Sequence, residues 1–267
     1  MSFKHSKTII PFPGKKDIPC IVTTHASSNK SDEVGKLGIV LAHGASGDMN
    51  NARLQRYAEE LANFGHTCVR FTASTINLAH RINCCRQVIS HLFHKKKGTH
   101  PVDAMILGGH SMGARVAASL ASQLSESSEA EIPKVLGVMC FSFPLRNPSS
   151  KNSQSQREEI LIDIPSAIPV LFVSGTKDGM CDLKLLKSVR EKMNAESELI
   201  KIVGGDHGLN VGKVAGRNDA LLEAVSEKVG QWCDEVSEEG ERRLEDWEFE
   251  GKQDNEKNWR VEKTKIS

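Results

Sequence analysis

Short apolar runs alternate along this chain with longer segments in which apolar residues recur every three or four positions, a pattern that predicts strands interleaved with amphipathic helices. Residues 6–11 and 18–24 read as short strands on either side of the turn cluster Pro13-Gly14-Lys15-Lys16-Asp17, together an antiparallel hairpin. Residues 27–35 are polar and expected to form a mobile loop. Residues 37–42 are apolar throughout, as a strand covered on both faces must be. A helix follows with Leu54, Tyr57, Ala58, Leu61 and Ala62 on one face and Gly65 as its stop, then a strand over residues 67–71. Ile82, Val88, Ile89, Leu92 and Phe93 mark a second helix, and its Lys95-Lys96-Lys97-Gly98 end suits the negative pole of the helix dipole. Strands over residues 104–107, 135–141, 169–174 and 199–203 then alternate with helices over 116–121, 182–193 and 218–233. The stretch 144–166, rich in Ser, Asn and Gln, reads as an excursion over the surface that is short for a lid.

Strands that alternate with helices pair in parallel through right-handed crossovers and carry helices on both faces. The expected fold class is therefore α/β, a three-layer sandwich with a mostly parallel sheet and an antiparallel hairpin at its start. One domain over residues 1–234 accounts for the pattern. Residues 235–267 are charge-dense and poor in apolar residues, with Trp247, Phe249 and Trp259 scattered among them. Such a segment has little apolar burial to offset its ordering entropy, so a disordered or loosely helical tail is expected.

Composition narrows the function classes. A net charge of +1 offers no field for a nucleic acid or an anionic membrane surface, and neither is expected as a partner. No apolar run approaches the roughly 20 residues that cross a bilayer, and the amino terminus lacks the plan of a signal peptide. A soluble protein of the cytoplasm is expected, with the nucleus also compatible. The seven cysteines are odd in number and show no C-x-x-C spacing, so reduced thiols are expected, the adjacent Cys84-Cys85 included.

The chemistry gathers where strands end, the place at which open α/β sheets bind ligands. Gly108-Gly109-His110-Ser111-Met112-Gly113 follows one strand and leads into a helix, the setting that makes G-x-S-x-G a nucleophile elbow. Gly175-Thr176-Lys177-Asp178 and Gly204-Gly205-Asp206-His207-Gly208 follow two others. A serine hydroxyl needs a base to take its proton, histidine has the suitable pKa, and a carboxylate fixes the histidine tautomer. Ser111, His207 and Asp178 are the candidates, in the chain order Ser, Asp, His that this arrangement uses. Each alone has a plainer reading, as a turn serine, a helix cap or a loop histidine. Asp182 is a rival acid further from its strand end, and Asp206 fits loop support better.

The oxyanion formed on attack requires backbone donors. Met112, directly after the serine, supplies one, and Ala45 in the loop His43-Gly44-Ala45-Ser46 is the expected second. His43, Asn77, His80, Phe143 and Met180 are the candidates to line the substrate site. No metal or organic cofactor is implied by this chemistry.

Together, His43-Gly44, Gly-His-Ser-Met-Gly, Gly-Thr-Lys-Asp and Gly-Asp-His resemble the α/β-hydrolase fold, nearest to its dienelactone-hydrolase-like branch. Residues 41–50, Arg70-Phe71-Thr72, residues 77–82 and residues 172–181 are similar to the group containing testis-expressed protein thirty and the hydrolase-like region of the third regulatory subunit of the NSL histone-acetyltransferase complex. The resemblance runs from about residue 6 to 234. It implies a serine hydrolase acting on a small carboxylic ester or thioester through an acyl-enzyme. Because some relatives act as subunits of assemblies, it also implies an alternative: a catalytically weak or inactive hydrolase-like scaffold that binds a protein partner, with the C-terminal tail as the contact.

Overall fold

The computed structural model describes residues 3–26, 37–127, 129–147, 154–213, 216–238, 244–251 and 259–264. The loop expected over residues 27–35 lies outside them. The strands are β1 (Phe3–Ile10), β2 (Ile18–His25), β3 (Gly38–Ala42), β4 (Thr67–Phe71), β5 (Ala104–His110), β6 (Lys134–Phe141), β7 (Val170–Gly175), β8 (Ser197–Ile202), β9 (Asp246–Gly251) and β10 (Trp259–Thr264). They form one sheet in the order β1-β2-β4-β3-β5-β6-β7-β8-β9-β10. β1 and β2 make the expected antiparallel hairpin, and from β4 through β9 neighbouring strands run parallel.

The uniformly apolar runs explain the layering. Side chains alternate along a strand, so an unbroken apolar run feeds two cores at once. In β3, Val40 and Ala42 enter one core while Ile39 and Leu41 enter the other, and Phe172 and Leu171 of β7 divide in the same way. The first core is closed by α2 (Leu78–Leu92), α3 (Met112–Ser125), α4 (Gln154–Ile162) and α5 (Leu183–Arg190) through Val88, Val116, Leu161 and Leu186. The second is closed by α1 (Ala52–Asn63) and α6 (Arg217–Ser237) through Leu54, Tyr57, Leu221 and Val229. Asn51 and Asn77 cap α1 and α2, their side-chain oxygens accepting from the N–H groups of Leu54 and His80.

Two segments depart from expectation. The surface excursion contains α4, which buries only Arg157 and Leu161 and so leaves almost no apolar period in the sequence. The tail expected to be disordered or loosely helical supplies β9 and β10 among its described residues. β9 lies parallel beside β8, with Ile200 opposite Trp247 and Ile202 opposite Phe249. Phe249 is fully buried in the second core, a contribution on the order of 1.5–3 kcal/mol. Arg190 donates from both terminal nitrogens to the Asp246 carboxylate at 2.9 Å, and Asp246 also accepts the Leu199 N–H at 2.7 Å. Among the described residues of this hairpin Glu250, Arg260, Glu262 and Lys263 are exposed, and Phe249 is the one buried.

Candidate active site

β5 ends at His110, and the chain turns at Ser111 so tightly that side chains are excluded on both sides of it. A Cβ on Gly113 would lie 2.0 Å from the Ala42 carbonyl oxygen, and one on Gly109 would lie 2.4 Å from the Gly113 carbonyl carbon. Ser111 itself holds φ 54° and ψ −112°, a conformation that a residue with a Cβ adopts at a cost of about 1–3 kcal/mol. Its N–H donates to the Phe141 carbonyl at 2.9 Å, which fastens the turn to the end of β6.

The hydroxyl projects from this turn toward a histidine. Ser111 Oγ and His207 Nε2 are 2.9 Å apart, and His207 Nδ1 is 2.9 Å from each oxygen of Asp178. An ionised carboxylate only accepts, so Nδ1 carries the proton and Nε2 presents a lone pair to the Ser111 O–H. The Asp178 side chain is fully buried, whereas that of His207 is 29 % exposed. Asp178 Oδ1 also accepts the Met180 N–H at 2.8 Å. The two loops that bring acid and histidine together are tied by backbone bonds, Lys177 N–H to the Gly205 carbonyl and Thr176 N–H to the Ile202 carbonyl. Asp206 accepts the Asn210 N–H at 2.8 Å and so supports its loop, while Asp182 caps α5.

The loop after β3 packs against the elbow. A Cβ on Gly44 would come within 3.1 Å of His110 Nδ1 and 3.7 Å of Ser111 Cβ. Ala45 follows in this loop, and Met112 opens α3, where an N–H has no carbonyl four residues earlier within the helix. Met112 directly follows Ser111, and Ala45 directly follows Gly44, whose backbone lies against the elbow.

The expected substrate-lining residues fare less uniformly. Asn77 and His80 sit at the start of α2 beyond the loop after β4, with the Asn77 side-chain oxygen committed to its cap. His80 packs its ring near Phe12, 5.9 Å between centroids, and lies 3.4 Å from Cys84 Sγ. His43 does not face a crevice. It is 1 % exposed, its Nε2 accepts the Ala73 N–H at 3.0 Å, and its Nδ1–H therefore donates to the Gly44 carbonyl at 2.6 Å. Burial first, then the nearby Arg81 charge, hold its pKa below the usual histidine value. Phe143 is fully buried in the first core and also lines no crevice. At a strand end successive side chains alternate between crevice and core, and His43 and Phe143 take the core side.

His110 and Arg81 are site residues that the sequence reasoning left without a role. His110 Nε2–H donates to the His207 carbonyl at 2.8 Å, and Arg81 bonds the loop after β3. Arg81 had a signal, since residues 81, 85, 88 and 92 fall on one helical face and the rest of that face is apolar.

The cysteines among the described residues are free and buried. Burial pushes the Cys20 and Cys181 thiols up to about 12, far from thiolate chemistry at neutral pH. The described residues contain no cluster of three or more His, Cys, Asp or Glu side chains able to hold a metal, and no helix long and apolar enough to cross a membrane. A cavity of about 300 Å³ between Leu124, Pro133 and Ile168 opens at the amino ends of β6 and β7, opposite the end that bears Ser111.

A family model described as an alpha/beta hydrolase domain matches residues 35–234. Among solved structures, the dienelactone hydrolase of Anabaena variabilis superposes with a TM-score of 0.61 at 14 % identity, over 86 % of this chain and 96 % of that one. Est1E from Butyrivibrio proteoclasticus with ferulic acid bound gives 0.65 at 15 % identity, over 86 % and 98 %. The alpha/beta hydrolase domain-containing protein 10 from mouse gives 0.61 at 15 %, over 86 % and 99 %. At these identities the likeness is one of fold.

Proposed function

The chain belongs to the alpha/beta hydrolase domain family, and from that premise we propose that it is a serine hydrolase of a small carboxylic ester or thioester. The observation that carries this reading is the continuous relay from Ser111 through His207 to Asp178, 2.9 Å at each link. Ser111 Oγ attacks the substrate carbonyl carbon while its proton passes to His207 Nε2. Asp178 keeps Nδ1–H in place and stabilises the imidazolium. The tetrahedral oxyanion takes hydrogen bonds from the N–H groups of Ala45 and Met112, each worth about 3–4 kcal/mol in comparable sites. His207 then protonates the leaving oxygen or sulfur, the acyl group stays on Ser111, and water activated by His207 releases the acid. The fold neighbour named as a dienelactone hydrolase, and the one that holds ferulic acid, support carboxylic ester chemistry. Within the family, the strings at residues 41–50, 77–82 and 172–181 favour the group of testis-expressed protein thirty.

A fluorophosphonate probe tests the reading. Wild-type protein is expected to be labelled at Ser111, and Ser111→Ala to be unlabelled. A well-folded wild type that resists the probe overturns the proposal.

A further inference from the structure

Arg81 reaches from α2 to the loop after β3 and is 2 % exposed. Its Nη1–H groups donate to the His43 carbonyl at 2.9 Å and the Gly44 carbonyl at 3.3 Å, and Nη2–H donates to the Ala45 carbonyl at 3.3 Å. Nε–H donates to the Thr75 carbonyl on the neighbouring loop. A planar fork of fixed donors suits this set of acceptors, which a single ammonium could not span. Among the described residues no carboxylate pairs with it, and its hydrogen-bond acceptors are the carbonyl oxygens of His43, Gly44, Ala45 and Thr75.

The orientation of these carbonyls has a geometric corollary. The described peptide bonds are all trans, and in a planar trans peptide the N–H points opposite to the C=O. With the carbonyls of His43, Gly44 and Ala45 drawn toward Arg81, the N–H groups of Gly44, Ala45 and Ser46 are turned to the far side. The elbow lies against this loop at Gly44, beside His110 Nδ1 and Ser111 Cβ. His43 reinforces the arrangement, because its own Nδ1–H holds the Gly44 carbonyl from a second direction.

We propose that Arg81 is the positioning residue of the oxyanion hole: by gripping three successive carbonyls it aims the Ala45 N–H at Ser111, and its unpaired positive charge behind that peptide favours the anion that forms there. The inference rests on the proposed serine hydrolase. It differs from a packing role in what it demands. A side chain that merely filled space or held α2 would affect the folding equilibrium and leave the folded enzyme's chemistry alone. Loss of an aiming residue destabilises the transition state while leaving ground-state binding of the substrate untouched.

The experiment uses the full chain as wild type, Arg81→Lys, Arg81→Met and Arg81→Ala, with fluorophosphonate labelling of the wild type first. Steady-state hydrolysis of p-nitrophenyl acetate and inhibition by an aryl trifluoromethyl ketone, whose hemiketal carries an oxyanion, are then measured. In Arg81→Lys, kcat is expected to fall about 100-fold with KM within threefold of wild type, and the ketone to weaken by a similar factor. Added methylguanidinium should raise kcat of Arg81→Ala at least tenfold at constant KM. A folded Arg81→Lys that retains kcat and ketone affinity within threefold overturns the inference, as does an Arg81→Ala that methylguanidinium stabilises against urea without restoring kcat. An unlabelled wild type overturns the hydrolase reading and this inference with it; a labelled wild type beside an unaffected Arg81→Lys overturns the inference alone.

Discussion

His110 Nε2–H donates to the backbone carbonyl of His207 at 2.8 Å, so the residue that precedes the proposed nucleophile holds the loop that carries the proposed base. A displacement of about 1 Å at a reacting group costs on the order of a hundredfold in rate. His110→Leu removes the donor and is expected to lower kcat by roughly ten- to a hundredfold with KM little changed. His110→Gln, which can still donate, should lose less. Steady-state assay of both variants checks the ranking, and equal losses would show that ring packing matters rather than the bond.

His43 and His110 also tie stability to pH. Burial, ahead of every other influence, holds both imidazoles below the usual histidine value. In the unfolded chain each takes a proton near about pH 6.5. Between about 6.5 and the lowered folded values the unfolded state binds more protons, so stability falls as the pH drops through that window. Above it both states are neutral and the full stability is present. Urea midpoints are therefore expected to be level from pH 8 to 7 and to decline toward pH 5, with a shallower decline in His110→Gln. Parallel profiles for wild type and variant would contradict the assignment.

Ser111 sits at φ 54°, and its strain is local enough to be relieved by one substitution. Glycine tolerates that backbone, although its freedom in the unfolded chain cancels part of the gain. Ser111→Gly is expected to be about 1 kcal/mol more stable than Ser111→Ala, because both lack the hydroxyl and only one keeps the strain. Chemical denaturation of the pair measures the difference, and both should be blind to the fluorophosphonate.

Phe249 makes the carboxyl-terminal hairpin part of the core. Phe249→Ala is expected to cost about 3–5 kcal/mol, and Asp246→Asn to weaken the bidentate contact with Arg190 by a smaller amount. A tail that served only as an arm for a protein partner would leave the urea midpoint unmoved in both variants.

Some of this architecture is readable from residue order because few physical rules decide it. Strands β3, β5, β6 and β7 are buried on both faces, so their apolar runs leave no ambiguity. Ser111 and Asp178 each follow such a run and a glycine, and His207 follows the alternately buried β8 and two glycines, a pattern from which convergence at one sheet end is expected. His43 and Phe143 went the other way because a shift of one position at a strand end exchanges crevice for core, and spacing does not encode that step. The hairpin leaves little trace in the sequence for a related reason. β9 buries one side chain deeply, and Phe249 with its flanking Trp247 is a weak period-two signal inside a dense run of charge. α4 is weaker still, with Arg157 and Leu161 as its inward residues.

The parallel pairing of β9 with β8 puts the Val203 N–H on the Phe249 carbonyl at 2.9 Å, just before the loop that bears His207. The strand that fastens the proposed base thus leaves the ribosome long after the elbow at Ser111. A nascent chain can form the elbow and its helix early, yet the loop opposite gains this anchor only once β9 has followed. Assembly of the relay is in that sense a report that the sheet has been completed.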